Sequence, residues 1–178
     1  MDDKLKVLPT EFEGITFRSR TEARWAVFFE AIGWAWEHER EGFDVNGRWY
    51  LPDFHLPDFP MWFEVKPDET DGSEAEHFSA LCRLSKKAGI IAYGPPKAGR
   101  GNLLHFDKEG LHFDKEGRSD DRYALFSDRR NDGEFWMCRS DSWFSIGPEF
   151  GPDHAKDPVI LESLRKAFES AGAEKFGT

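Results

Sequence analysis

Apolar residues recur with a helical period early in the chain: Trp25, Phe28, Phe29 and Ile32 stand at i, i+3, i+4 and i+7. Ser19-Arg20-Thr21-Glu22, just before them, has the spacing of a capping box, so residues 19–32 are predicted to form an amphipathic helix that Gly33 stops. Residues 34–39 partly alternate and predict a short strand, and Asn46-Gly47 within 41–48 is a tight-turn signal. Residues 73–88 predict a second helix that Gly89 ends. Ser73 and Glu76 again have capping-box spacing, Phe78, Leu81, Leu84 and Ala88 point inward, and Arg83, Lys86 and Lys87 form a basic side. Residues 90–93 read as a short buried strand, followed by a Gly- and Pro-rich loop that carries Lys97 and Arg100.

Between the two helices, residues 48–66 predict a hairpin. With Pro57-Asp58-Phe59-Pro60 as its turn, paired positions have a constant sum, so residue 56 faces 61 and residue 53 faces 64. Alternation places Tyr50, Pro52, Phe54, Leu56, Met61, Phe63 and Val65 on one face. Trp49, Leu51, Asp53, His55, Trp62, Glu64 and Lys66 fall on the other, so three charged groups converge there. The element order through residue 93 is αβββαβ, which predicts an α/β fold with a mixed central sheet flanked by helices.

Residues 104–110, Leu-His-Phe-Asp-Lys-Glu-Gly, recur unchanged at 111–117; one tandem copy is too short for a solenoid and reads as a lengthened hairpin or loop. Residues 123–126 and 134–139 flank a turn-rich stretch and predict another hairpin, with Arg129 and Arg130 near its tip. Asp157-Pro158 opens a predicted last helix in which Ile160, Leu161, Leu164, Phe168 and Ala171 face inward and Gly172 is the stop. Residues 1–102 are expected to form the core, and 103–178 a C-terminal region of hairpins and a helix packed on it, in one compact domain.

Composition narrows the functional classes. The formal charge is −10, from 34 acidic and 24 basic residues, which is the wrong sign for gripping nucleic acid through bulk charge. A carboxylate site neutralised by a divalent ion, together with a local basic patch, escapes that objection. Cys82 and Cys138 are too few for a disulfide framework or a four-cysteine zinc site and suit a reducing compartment. The acidic start lacks a signal-peptide pattern, and no apolar run approaches the ~20 residues of a membrane helix, so a cytoplasmic protein without membrane contact is expected. No Gly-rich phosphate loop and no Ser/His/Asp arrangement stands out.

Hydrolysis of a phosphodiester needs a divalent cation, an activated water and positive charge where the transition state gathers negative charge. Asp53 and Glu64, facing each other, offer oxygen ligands to Mg²⁺, for which Mn²⁺ can substitute; the Val65 carbonyl offers another. Lys66, on the same face, can orient or help deprotonate the attacking water, or stabilise the phosphate oxygens. Each assignment has a plainer rival. The trio could be a solvated strand face with a Glu–Lys pair. Asp58, in Leu56-Pro57-Asp58-Phe59, echoes Asp53 in Leu51-Pro52-Asp53-Phe54, but pairing it with Glu64 leaves almost no hairpin. His55 shares the face and reads as structural. Arg83, Lys86, Lys87, Lys97 and Arg100 are candidate phosphate contacts, against ordinary solvated surface.

Leu51-Pro52-Asp53-Phe54 followed by Glu64-Val65-Lys66 resembles the Pro-Asp…(Asp/Glu)-X-Lys signature of the PD-(D/E)XK, or restriction-endonuclease-like, nuclease superfamily. The preceding helix and the βββαβ order are similar to that superfamily's core over about residues 15–94, and the chain resembles its small phage- or transposon-associated members. The resemblance implies a Mg²⁺-dependent DNA endonuclease that leaves a 5′-phosphate and a 3′-hydroxyl, with RNA not excluded as substrate and a homodimer as one route to double-strand cutting. It also implies that Glu22 is a third acidic metal ligand, where the residues alone give a capping-box glutamate on an inward face. The competing functions are an inactive module that binds nucleic acid or protein on the same fold, and an acidic DNA mimic.

Overall fold

The computed structural model describes residues 9–67, 72–98, 102–110, 124–128, 131–139, 142–146 and 158–176. In chain order its elements are β1 (Thr10–Phe12), β2 (Ile15–Phe17), α1 (Arg20–Ile32), β3 (Glu37–His38), β4 (Phe43–Val45), β5 (Arg48–Tyr50), β6 (Phe54–Leu56) and β7 (Met61–Lys66). There follow α2 (Gly72–Ser85), β8 (Gly89–Tyr93), β9 (Leu103–Phe106), β10 (Ala124–Asp128), β11 (Asn131–Arg139), β12 (Ser142–Ile146), β13 (Pro158–Val159) and α3 (Glu162–Ala173).

A five-stranded mixed sheet in the order β3-β6-β7-β8-β9 is the frame; β7 and β8 run parallel and the other neighbours antiparallel. The β6–β7 register pairs Leu56 with Met61 and Phe54 with Phe63, as the constant-sum expectation requires. On one face lie α1 and α3, where Trp25, Phe28 and Phe29 of α1 and Leu164, Ala167 and Phe168 of α3 join Phe54, Leu56, Phe63 and Val65 of the sheet. Phe29 stands edge-on to Phe54 and Phe63 at ring separations of 5.4 and 5.0 Å, and each such ring buried contributes roughly 1.5–3 kcal/mol. The other face, bearing Trp62, Ile91 and Phe106, is covered by α2 through Phe78, Leu81 and Cys82 and by the β4–β5 ribbon through Val45.

Local chemistry explains the ends of α1: Ser19 Oγ accepts from the Glu22 amide, and Gly33 takes the left-handed conformation at φ 80. Asn46 and Gly47 both have positive φ, as the turn between β4 and β5 demands. Glu13-Gly14 does the same between β1 and β2, a hairpin the sequence reading missed because glutamate is a poor marker for that conformation.

Several expectations need correction. The second helix stops at Ser85, with Lys86 left-handed at φ 56, rather than running to Ala88. Its inward stripe is Phe78, Leu81, Cys82 and then Ser85, whose hydroxyl accepts from Trp62 Nε1 at 2.9 Å, so Leu84 is left exposed. The capping box at Ser73 does not form, since Ser73 lies within α2. The predicted strand over 34–39 contracts to Glu37–His38.

The last helix begins at Glu162 instead of Pro158, because Pro158 and Val159 pair with β10. It also passes through Gly172 to Ala173. No glycine stop is needed there, because Arg24 of α1 donates to the Ala171 and Gly172 carbonyls and caps them from outside. The hairpin expected over 123–139 is β10–β11, while Arg129 and Arg130 lie outside the described residues. The first copy of the tandem repeat supplies most of β9, with His105 and Phe106 buried, so it belongs to the central sheet rather than to a lengthened loop. The second copy lies outside the described residues. Alternation also fails at Tyr50 and Trp49: Leu51-Pro52 breaks the chain between β5 and β6, so Tyr50 joins the α2 side and Trp49 is 68% exposed on a separate ribbon.

Gly89 sets how closely β8 approaches α2, since a Cβ there would stand 2.6 Å from the Phe78 ring and 2.9 Å from Cys82 Sγ. Gly89→Ala should therefore cost about 1–3 kcal/mol in urea denaturation, the usual penalty of overpacking a filled core; an unchanged midpoint would refute so close a contact.

Candidate active site

Asp53 and Glu64 sit side by side at the open end of the β6–β7 pair. Asp53 comes just before β6, where the strand gives way to the Leu51-Pro52 break, and the two acids clasp each other's backbone. The Asp53 amide donates to Glu64 Oε2 at 3.1 Å, and the Val65 amide donates to Asp53 Oδ2 at 2.8 Å. The Asp53 carbonyl accepts from the Glu39 amide, which ties the site to β3. Relative exposures are 4% for Asp53 and 3% for Glu64, so both carboxyls lie inside the protein, and the solvated-face reading of this strand end is excluded.

Two cations answer them. Lys66 Nζ is 2.8 Å from Glu64 Oε1 and 3.6 Å from Glu74 Oε2 in the first turn of α2. Arg18 Nη2 lies 3.0 Å from Asp53 Oδ1 and 2.8 Å from Glu39 Oε1, bridging the two carboxylates. These contacts do not offset the acids fully. Burial, then the charges of Glu64 and Glu22, push the Asp53 carboxyl well above the usual aspartate range, although the Val65 amide and Arg18 pull it back. Burial likewise raises Glu64, against the opposing pull of Lys66. Burial alone would lower the Lys66 ammonium, but the contact with Glu64 outweighs it and keeps the group charged.

Glu22 belongs to the same neighbourhood but faces the start of its own helix. Its carboxylate accepts from the Ser19 hydroxyl at 2.8 Å and from the Arg18 amide at 3.1 Å, so it closes the start of α1 through the amide before the cap instead of the Ser19 amide that a full capping box uses. His38 Nε2, 3.9 Å away, makes a long contact rather than a hydrogen bond. Burial pulls the Glu22 carboxyl up, but His38, Ser19 and Arg18 outweigh it and hold the group below the ordinary glutamate range. Among the described residues, no group of three or more His, Cys, Asp or Glu side chains is gathered as a metal cage. The structure thus unites Asp53, Glu64, Val65 and Lys66 and sets Glu22 beside them, its oxygens engaged at the start of α1.

The other candidates scatter. Arg83 is exposed and donates to Ser79 Oγ, Lys86 is 3.6 Å from Glu109, and Lys97 is half-buried in the loop after β8. Lys87 lies over the Trp62 ring at 4.4 Å and 3.8 Å from Glu41. Arg100 lies outside the described residues. Asp58 accepts from the Ala35 amide at 2.8 Å in the β6–β7 turn, which settles it as a structural residue. His55 is buried and pairs with Glu37 at 2.8 Å. Sequence reasoning missed Arg18, Glu39, Tyr50 and Glu74. The one available signal was Arg18, a cation four residues before the inward Glu22. The Tyr50 hydroxyl is buried beside Glu64 without a hydrogen bond of normal geometry, and burial followed by the Glu64 charge raises its ionisation far above the ordinary range.

No model of a known family, no curated protein and no solved structure matches the chain. Among the described residues, no helix is long and apolar enough to cross a membrane.

Both central carboxyls titrate higher in the folded chain than in the unfolded one, so their ionisation opposes folding. The cost is absent below the ordinary carboxylate range, grows as pH rises toward the folded values, and is complete above them. The thermal midpoint of Asp53→Asn in EDTA, relative to the unaltered protein, should therefore shift in the variant's favour between about pH 4 and about pH 8. An equal offset at both ends would count against strain in this pair.

Proposed function

We propose that the chain is a divalent-metal-dependent endonuclease acting on DNA, built on a restriction-endonuclease-like core. The order α1, β3, β6, β7, α2, β8, with the β4–β5 ribbon inserted, supports the fold reading, since it keeps the αβββαβ sequence of elements around the acidic pair. One observation carries the functional reading: Asp53 and Glu64 are buried together with their pKa values raised, and a charged lysine stands 2.8 Å from one of them. Structural ion pairs seldom leave two carboxyls short of positive charge, because unpaired buried charge is costly.

The donor set fits a hard cation. Asp53 and Glu64 present carboxylate oxygens suited to Mg²⁺ or Mn²⁺, with the Val65 carbonyl and Glu22 as further oxygen donors, and neutralising the pair would remove the mutual repulsion that raises Asp53. Bound there, such an ion supplies Lewis-acid stabilisation of the phosphate and lowers the pKa of a coordinated water. The chain's own residues do the rest. Lys66, held charged by Glu64, acts as a hydrogen-bond donor to the attacking water or a phosphate oxygen; its raised pKa disfavours a role as general base. Glu64 and Glu74 fix the direction of its ammonium. Tyr50 and Trp62 wall the site on the α2 side and limit its access to water. RNA is the second substrate class, and paired cuts on a duplex would call for two copies of the chain.

Lys66→Ala and Lys66→Met should each reduce cleavage at least ~100-fold in a protein that still folds and still binds the divalent ion. Linear, supercoiled and branched DNA should be cut with Mg²⁺ or Mn²⁺ and left intact in EDTA. Undiminished cutting by the Lys66 variants would sink the assignment.

A further inference from the structure

Among the described residues, Arg18 is the one side chain that answers the Asp53 carboxylate directly, and it reaches the site from solvent. Its guanidinium touches Asp53 Oδ1 at 3.0 Å and Glu39 Oε1 at 2.8 Å, while the side chain as a whole remains 56% exposed.

We infer that Arg18 is an internal stand-in for the divalent ion: it neutralises Asp53 in the metal-free protein, gives up that oxygen when the ion binds, and then offers its guanidinium to a phosphate oxygen of the nucleic acid. The inference rests on the nuclease reading above and assigns Arg18 a positioning and substrate-binding part in it.

The exchange is chemically reasonable on three counts. A planar guanidinium with several N–H donors can bridge two carboxylates as an ion does, whereas a lysine ammonium is a point charge. A contact made by a largely exposed side chain is weak enough to be broken, because solvent screens it and its ordering costs entropy. Moreover, the Arg18 backbone is fixed by the hydrogen bond its N–H donates to Glu22 Oε2 at 3.1 Å, so the freed side chain would stay anchored at the rim of the site. A guanidinium released there matches the geometry of a phosphate, with which it forms paired hydrogen bonds.

The test is to measure Mn²⁺ affinity by calorimetry without nucleic acid, and DNA affinity in Ca²⁺, for the unaltered chain, Arg18→Gln and Arg18→Lys. If the arginine-bound state holds about 80–90% of the metal-free molecules, Arg18→Gln should bind Mn²⁺ about fivefold to tenfold tighter. Arg18→Lys should move in the same direction although the charge is kept. DNA affinity should fall about tenfold in Arg18→Gln, the loss expected for a charge-assisted contact to phosphate. The opposite signs are diagnostic, since a merely structural arginine would weaken both. Metal affinity unchanged or weakened in both variants would overturn the exchange, and so would an Arg18→Lys protein that binds metal like the unaltered chain. Unaltered DNA affinity would remove the phosphate role. Should the unaltered chain bind no Mn²⁺, with Asp53→Asn behaving identically, the nuclease reading itself fails; an absent Arg18 effect in a protein that binds metal and cuts DNA overturns this inference alone.

Discussion

Two carboxylates held out of water with too little positive charge beside them are the constraint around which the rest of the molecule is arranged. Burial is imposed from both sides. The aromatic layer of α1 and α3 fixes one face of the sheet, while α2 and the β4–β5 ribbon close the other around Trp62 and Tyr50. At the sheet end between these layers the chain places Asp53 and Glu64, then brings Lys66 of β7, Arg18 of the β2–α1 link and Glu74 of α2 to them. A fold gains little stability from such a pair, since desolvating charge costs more than most contacts return. Its presence at the end of a well-packed sheet is what supports the proposed chemistry.

Much of this was legible in the residues. The Pro57–Pro60 turn selects the β6–β7 register, and because side chains alternate with a period of two, a one-residue slip would part Phe54 and Leu56 from Met61 and Phe63. α1 was equally plain, with a capping serine, a left-handed glycine and an aromatic stripe between them. The hidden parts were those decided by neighbours distant in sequence. Arg24 caps α3 across 148 residues, so no local signal marked where that helix would end. Pro158 has the look of a helix opening but pairs with β10 instead. Leu51-Pro52 interrupts the alternation, which moved Tyr50 to the opposite side from the one its spacing implied.

At the site, the motif residues could be read while their counter-charges could not. Asp53, Glu64 and Lys66 lie within one hairpin, where geometry propagates from residue to residue. Arg18 sits 35 positions before Asp53 and meets it only because α1 and the β3 edge converge at the same sheet end. Glu22 closes the start of its helix through the Ser19 hydroxyl and the Arg18 amide, and its charge still reaches Asp53. The net acidity of the chain likewise means less than its total suggests, because several acids are committed to named partners inside the fold.

The reciprocal clasp of Asp53 and Glu64 has an evolutionary side. Each carboxylate accepts a main-chain amide from across the pair, so together they extend the β6–β7 ladder one rung past its last regular residue. Replacing either acid by an apolar residue would strip an acceptor from a buried N–H and fray the hairpin even if no reaction were ever catalysed. Selection for a well-formed sheet alone could therefore preserve both acids in a lineage that had abandoned chemistry, whereas Lys66, which holds up no backbone, would be the first letter of the motif free to drift.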